Sequence, residues 1–189
     1  MGQEMRPRTY ASEGLILARR NFGEADRIII IFTKNFGKIS FIAKGVRRPK
    51  SRKRGHLEIF SHIKFQAAKG RGLDILTEAE IIDNFSQTRK DLKKVSVAYY
   101  FCEVVGRTTH ENESHPAVLE LVLEYLNKLE TAKSLKKLRL EFAVRALVDL
   151  GFWPKGKLML DPDMELETVI ERKLSSIRVG KKVLGTSGH

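Results

Sequence analysis

The chain has 189 residues, with 35 lysines and arginines against 23 aspartates and glutamates, a net charge of +12. Its 42% of hydrophobic residues is enough for a buried core and excludes a wholly disordered chain. No apolar run approaches the length of a membrane-spanning helix, and a single cysteine, Cys102, excludes both an internal disulfide and a cysteine-based zinc cluster.

The excess positive charge lies mainly in the first half. Residues 1–86 have a net charge of +8, and residues 87–189 a net charge of +4. We therefore expect an acidic partner that contacts the first half, with nucleic acid as the first candidate and an anionic membrane as a weaker one. The N-terminus lacks the apolar core of a signal peptide, so the expected location is the cytoplasm.

From residue 11 to residue 85 the pattern is that of β-strands separated by glycine-bearing turns. The five strand-like segments are SEGLILARR, DRIIIIFT, GKISFIAKG, IFSHIKFQA and LDILTEAEIIDNF. Within the last one, TEAEIID is also compatible with a helix. Five short strands in fewer than 90 residues predict a small closed barrel, which leaves no exposed sheet edge.

Between the third and fourth strands lies a segment that we call the basic loop, residues 44–54, KGVRRPKSRKR. It contains no acidic residue, and Gly45 and Pro49 prevent a regular helix or central strand. Its seven basic residues are Lys44, Arg47, Arg48, Lys50, Arg52, Lys53 and Arg54. This density predicts a phosphate-binding loop rather than the alternative, a loop that is charged only for solubility.

The periodicity becomes helical near Asp91. Apolar residues recur at helical spacing through residues 91–110, 116–130 and 134–151, with Pro116 and Ser134 near helix starts and Gly151 as a stop. Three amphipathic helices with short connections predict a bundle. We therefore expect an α+β chain of two domains, a barrel at 8–85 and a helical domain at 90–153. The tail, 154–189, is predicted to be partly helical, from Met164 to Leu174, or disordered.

Several motifs, in this order and spacing, resemble the RecO family of bacterial DNA repair proteins, which are recombination mediators. The similarity covers about residues 8–154. It rests on GLIL at 14–17, GEADR at 23–27, FT at 32–33, GKIS at 37–40, AKGVRR at 43–48, RGLD at 71–74 and RLEFAVRALVDLGFW at 139–153.

The resemblance implies a five-stranded OB-fold followed by a helical domain, and a protein that works on DNA without catalysing a reaction or holding a cofactor. It implies binding of single- and double-stranded DNA, annealing of complementary strands, and loading of a recombinase. It also implies two protein partners, a RecR-like protein and the acidic C-terminal tail of single-stranded DNA-binding protein. The implied location is the nucleoid of a bacterial cytoplasm.

The chain departs from the family pattern after Gly151. Many members carry a zinc-binding cysteine cluster there, whereas PKGKLMLDPDMELE contains neither Cys nor His, so no zinc is expected. Asp161 and Asp163 in this stretch are expected to lie in a solvated turn. The chain is also shorter beyond Gly151 than the family pattern, which would have further helices.

OB-folds bind single strands with a basic groove and stacking aromatic residues. Beside the basic loop, the candidates for phosphate contact are Arg19, Arg20, Arg27 and Lys38, with ordinary strand-edge charge as the alternative for the arginines. Phe32, Phe41, Phe60 and Phe65 are expected in the barrel core. Phe22 and Phe36 are stacking candidates, with packing over the barrel mouth as the alternative.

The third helix has a second basic group. Lys136, Arg139 and Arg145, beside Phe142, could bind an acidic peptide that ends in an apolar residue; the alternative is a solvated helix face over an ordinary core. The five histidines show no metal-ligand spacing, no nucleophile set is recognisable, and no ATP-binding loop is present. Two other functions stay open, an RNA-binding OB protein of ribosome or RNA metabolism and a helical interaction scaffold.

Overall fold

A computed structural model of the chain describes residues 8–49, 51 and 55–170. These residues form two compact units: one comprises the described residues up to Asn84 together with Glu111–Ser114, and the other comprises Phe85–His110 and the described residues from His115 to residue 170. The strands are β1 (Thr9–Phe22), β2 (Asp26–Thr33), β3 (Gly37–Ala43), β4 (His62–Ala68) and β5 (Asp74–Asp83). The helices are α1 (Leu92–Thr108), α2 (Pro116–Thr131), α3 (Leu135–Asp149) and α4 (Pro162–Val169), with a 3-10 turn at Thr88–Lys90.

The five strands form a closed barrel in the order β1-β2-β3-β5-β4. The long strand β1 makes closure possible, because its first half pairs with β4 and its second half with β2. All pairings are antiparallel except the short parallel one between β3 and β5. The barrel followed by helices matches an OB-fold domain with a helical C-terminal domain, which confirms the predicted fold class. TEAEIID, for which a helix was the alternative, lies in β5.

Buried and less buried side chains alternate along the strands, and the buried ones fill the barrel. In β3, Ile39, Phe41 and Ala43 are buried while the residues between them are only half-buried. Phe41 meets Phe65 edge to face, with ring centroids 5.1 Å apart. Phe41 and Phe65 belong to the barrel core, as expected. Phe32 and Phe60 are also buried but lie outside that core cluster, and Phe60 precedes β4 with a φ of +54°.

The helices begin where the sequence offers caps. Asp91 accepts hydrogen bonds from the backbone N–H groups of Lys93 and Lys94, Pro116 opens α2, and Ser134 accepts from Lys137. At the far end of α3, Gly151 has a φ of +79°, which suits glycine. A buried aromatic cluster of Phe101, Tyr125 and Phe142 joins the helices. None of the helices described is long and apolar enough to cross a membrane.

The stretch after α3 corrects two expectations. The short helix predicted at 164–174 is α4, which begins at Pro162 and ends at Val169; residues beyond 170 lie outside the described part. The solvated turn predicted for Asp161 and Asp163 is wrong for Asp163, which is buried and paired with an arginine of α3. Asp161 is exposed and caps α4. Within residues 8–49, 51 and 55–170, no group of three or more potential ligands is placed to hold a metal ion.

Candidate nucleic-acid interface

The start of the basic loop is fastened to the turn between β1 and β2. The Gly45 N–H donates to Asp26 Oδ1 at 2.7 Å, and the Arg47 N–H donates to the Ala25 carbonyl at 2.9 Å. Gly45 has a φ of +65°, a conformation that glycine adopts without strain. Val46 is fully buried in the barrel core. This anchor holds Lys44, Arg47 and Arg48 at the surface, where all three are exposed.

Arg47 is oriented by its side chain as well as by its backbone. Its Nη1 donates to the Gly23 carbonyl at 3.1 Å, so the guanidinium lies along the β1–β2 turn. Arg48 closes a tight turn through its N–H, which donates to the Gly45 carbonyl at 3.1 Å. Two arginines on a restrained backbone can contact phosphate with less loss of conformational entropy than arginines on a loose chain.

Three further predicted arginines lie at the same end of the barrel. Arg19 and Arg20 are in the last half of β1, and Arg27 pairs with Asn21 of β1 on one side and with Ala43 of β3 on the other. The register therefore brings all three close to Lys44 and the β1–β2 turn. Strand pairing thus joins Arg27 to Ala43, which lies 16 residues later in the sequence.

Glu58 lies among these arginines and was not predicted as part of the site. Its Oε1 accepts a hydrogen bond from Arg19 Nη1, and Arg27 Nη1 lies 4.0 Å from the same oxygen. Arg27 also donates from Nε to Asn21 Oδ1 at 3.4 Å. Glu58 thus offsets part of the positive charge and orients the Arg19 guanidinium. Nothing in the local sequence LEIF distinguishes it from an ordinary surface glutamate.

Lys38 does not join this cluster. It lies at the start of β3, five residues from Ala43, so about 16 Å of strand separates the two positions. Lys38 is half-buried beside Glu111, and its carbonyl accepts the Asn112 N–H at 3.0 Å. Burial lowers the pKa of the Lys38 ammonium, and the charge of Glu111 partly opposes this shift.

The two turn aromatics differ in exposure. Phe36 packs against the barrel core, and its ring meets that of Tyr10 edge to face, with centroids 5.0 Å apart. This agrees with the alternative to stacking, in which Phe36 packs over the barrel mouth. Phe22, the last residue of β1, is 50% exposed and lies two residues after Arg20. The remaining predicted loop residues, Lys50, Arg52, Lys53 and Arg54, lie outside the described residues.

The predicted partner residues of α3 separate onto two faces. Lys136 and Arg145 line a groove of about 660 Å³ whose apolar wall includes Tyr125, Leu140 and Val144. Lys137, Ser134 and Glu141 complete the lining. Leu140 and Val144 were not singled out from the sequence, although they follow Lys136 at intervals of four residues and so share its face.

The other two predicted partner residues point into the helical unit. Phe142 is fully buried, and Arg139 is 4% exposed. Arg139 donates to both carboxylate oxygens of Asp163 at 2.6 and 2.7 Å, and its guanidinium lies 5.0 Å from the centre of the Tyr100 ring. Burial alone would lower the pKa of Arg139, but the hydrogen bonds with Asp163 outweigh it and the pKa lies above its usual value. Neither side chain is accessible to a partner.

Comparison with known proteins relates both units to the same family. Residues 5–85 match the family model described as recombination protein O N terminal, and residues 89–156 match recombination protein O C terminal. Among similar proteins are those named DNA repair protein RecO from Symbiobacterium thermophilum and Roseiflexus sp. The first is 35% identical over 146 residues, which cover 77% of this chain and 58% of the relative. The second is 33% identical over 151 residues, which cover 80% of this chain and 53% of the relative. The chain thus spans somewhat more than half the length of these relatives, and it belongs to the RecO family.

Proposed function

We propose that this protein serves DNA repair and recombination as a mediator that binds single- and double-stranded DNA and catalyses no reaction. The proposed contact surface, here called the basic face, consists of Arg19, Arg20, Arg27, Lys44, Arg47 and Arg48. Lys50, Arg52, Lys53 and Arg54 would continue it along the basic loop. The observation that carries the proposal is the fastening of the start of the loop to the β1–β2 turn, which brings Lys44, Arg47 and Arg48 to the end of the barrel that holds the three strand arginines.

The basic face suits the phosphate backbone rather than the bases. Its described members are arginines and one lysine, which neutralise phosphate and release counterions whatever the sequence of the strand. A protein that neutralises two strands without occupying their pairing edges lowers the repulsion between them. Annealing of complementary strands, and through it the loading of a recombinase, is the activity that we propose for this surface.

The helical groove is the proposed site for a protein partner. Lys136, Lys137 and Arg145 can attract an acidic peptide, while Leu140 and Val144 offer an apolar wall for its last residue. The acidic C-terminal tail of single-stranded DNA-binding protein has this chemistry. A RecR-like protein is a second proposed partner, for which we assign no residues.

Annealing of two complementary labelled strands, one with a fluorophore and the other with a quencher, tests the proposal. Wild-type protein should accelerate quenching at low salt, and the acceleration should fade as salt rises. A parallel reaction with structured RNA as competitor tests the RNA-binding alternative. Equal rates with and without protein would contradict the proposed function, and selective loss of annealing in the presence of the RNA would favour the alternative.

Binding of an acidic peptide with an apolar C-terminal residue tests the groove separately. We expect R145E and L140A each to weaken binding, the first by removing a favourable charge and the second by removing apolar contact. Arg107→Glu, on a different helix, is a charge-matched control. Equal affinities for all four proteins would place the peptide elsewhere.

A further inference from the structure

Phe22 occupies an unusual place for an aromatic residue of this barrel. Phe32, Phe41, Phe60 and Phe65 are buried, whereas Phe22 keeps half of its surface exposed. It is the last residue of β1 and pairs with Asp26, the residue whose carboxylate holds Gly45 of the basic loop. The ring is therefore displayed from a paired strand end whose position is tied to the loop.

Two arginines of the basic face lie near Phe22 along the backbone. Arg20 lies two positions earlier on the same face of β1. The Arg47 guanidinium lies 3.1 Å from the carbonyl of Gly23, the residue directly after Phe22. An exposed apolar side chain is in itself ordinary. An exposed aromatic ring on a restrained backbone near two arginines can hold one nucleotide by its base and its phosphates together.

Stacking on a protein ring distinguishes single from double strands. In a duplex both faces of a base are occupied by its neighbours, so the ring gains nothing without costly unstacking. In a single strand a base can turn onto the ring at little cost. We propose that Phe22 stacks on an unpaired base and makes the basic face prefer single-stranded over double-stranded DNA. This inference rests on the proposed function, and it adds the strand preference of the same site.

Binding of one labelled oligonucleotide, single-stranded or annealed to its complement, tests the inference at fixed salt. Phe22→Leu keeps an apolar side chain of similar size but removes the aromatic face. We expect it to weaken single-strand binding about 5- to 100-fold and to change duplex binding less than about 2-fold. Phe152→Leu, at a phenylalanine that is 46% exposed in the helical unit, is the matched control and should change neither affinity.

A second variant reports stacking directly. In the background Trp153→Phe, which removes the one natural tryptophan, Phe22→Trp places a fluorophore at the site. We expect its emission to be quenched by single-stranded DNA at the affinity measured by anisotropy, and to change little with duplex. Tight binding without quenching would overturn the inference.

The outcomes separate this inference from the function on which it rests. Suppose that wild-type protein binds DNA, and that F22L either weakens single-strand and duplex binding equally or weakens neither. The inference is then wrong and the proposed function stands. If wild-type protein binds neither DNA at low salt, the proposed function fails and the inference fails with it.

Discussion

Glu58 accepts a hydrogen bond from Arg19 inside the cluster of cations at the end of the barrel, and the Arg27 guanidinium approaches the same carboxylate oxygen. A carboxylate held between two guanidinium groups occupies the kind of position that a phosphate oxygen would take. On our account Glu58 therefore orients the arginines and also competes with DNA for them.

Removal of the Glu58 charge should strengthen DNA binding. We expect E58Q to raise affinity for single-stranded DNA about 2- to 5-fold at 50 mM salt, and less at 200 mM, because one repulsive charge near the phosphates is lost. Anisotropy at the two salt concentrations measures the effect.

Glu13 provides a charge-matched control for Glu58. It pairs with Lys34 at 2.7 Å and lies six residues before Arg19 on β1, about 20 Å away, which is beyond the screening length of about 10 Å at 0.1 M salt. E13Q should leave DNA affinity nearly unchanged. If E58Q and E13Q raise affinity equally, net charge rather than the position of Glu58 is responsible.

Lys38 should contribute little to DNA binding, although its sequence context made it a candidate. It is half-buried beside Glu111 at the opposite end of β3 from the basic loop. We expect K38Q to change affinity less than about 1.5-fold, against a loss of several-fold for R47Q, since a phosphate contact carries much of the binding free energy. Comparable losses for the two variants would extend the contact surface along β3.

The strands, and much of the basic face, could be predicted because they follow from local patterns. Alternation in GKISFIA predicts which side chains face the barrel core, and the paired glycine turns predict the hairpins. Lys38 shows the limit of such reasoning. Its charge is visible in the sequence, but the extended backbone of β3 puts it at the opposite end of that strand from the basic loop, and its burial beside Glu111 depends on a segment more than 70 residues later.

The helical unit shows a second limit. Arg139 and Phe142 looked like members of a basic and apolar surface because Lys136 and Arg145 flank them. Helical geometry turns both inward, and Arg139 tolerates burial only because Asp163, 24 residues later, supplies a matching carboxylate. A partner so distant in sequence leaves no local signal, which is also why Asp163 was expected in solvent.

Phe142 should act on stability rather than on partner binding. Its ring contacts those of Phe101 and Tyr125 at 4.3 and 5.4 Å, in a fully buried position. We expect F142A to lower the free energy of unfolding by about 3–5 kcal/mol in denaturant titration. L140A, in the wall of the groove, should cost less than about 1.5 kcal/mol. Equal costs for the two variants would contradict this division between core and groove.

The buried ion pair between Arg139 and Asp163 should hold α4 to α3. We expect D163N to lower the free energy of unfolding by about 3–5 kcal/mol, because it leaves a buried guanidinium without its countercharge. Asp149→Asn removes one carboxylate from the more exposed pair with Arg145, whose closest atoms are 3.9 Å apart, and should cost less than about 1 kcal/mol. A loss below 1 kcal/mol for D163N as well would show that water reaches Arg139.

The salt dependence of single-stranded DNA binding, with and without the two restrained arginines, tests the central claim most directly. Wild-type protein and R47E/R48E are compared from 50 to 200 mM salt, with K93E/K155E, at two exposed lysines of the helical unit, as a charge-matched control. We predict that R47E/R48E loses more than about 10-fold in affinity at 50 mM and that its log–log salt slope is shallower by about 1.4, while the control stays within about 2-fold of wild type. An unchanged slope and affinity in R47E/R48E, or an equal loss in the control, would contradict the claim that the fastened loop binds DNA.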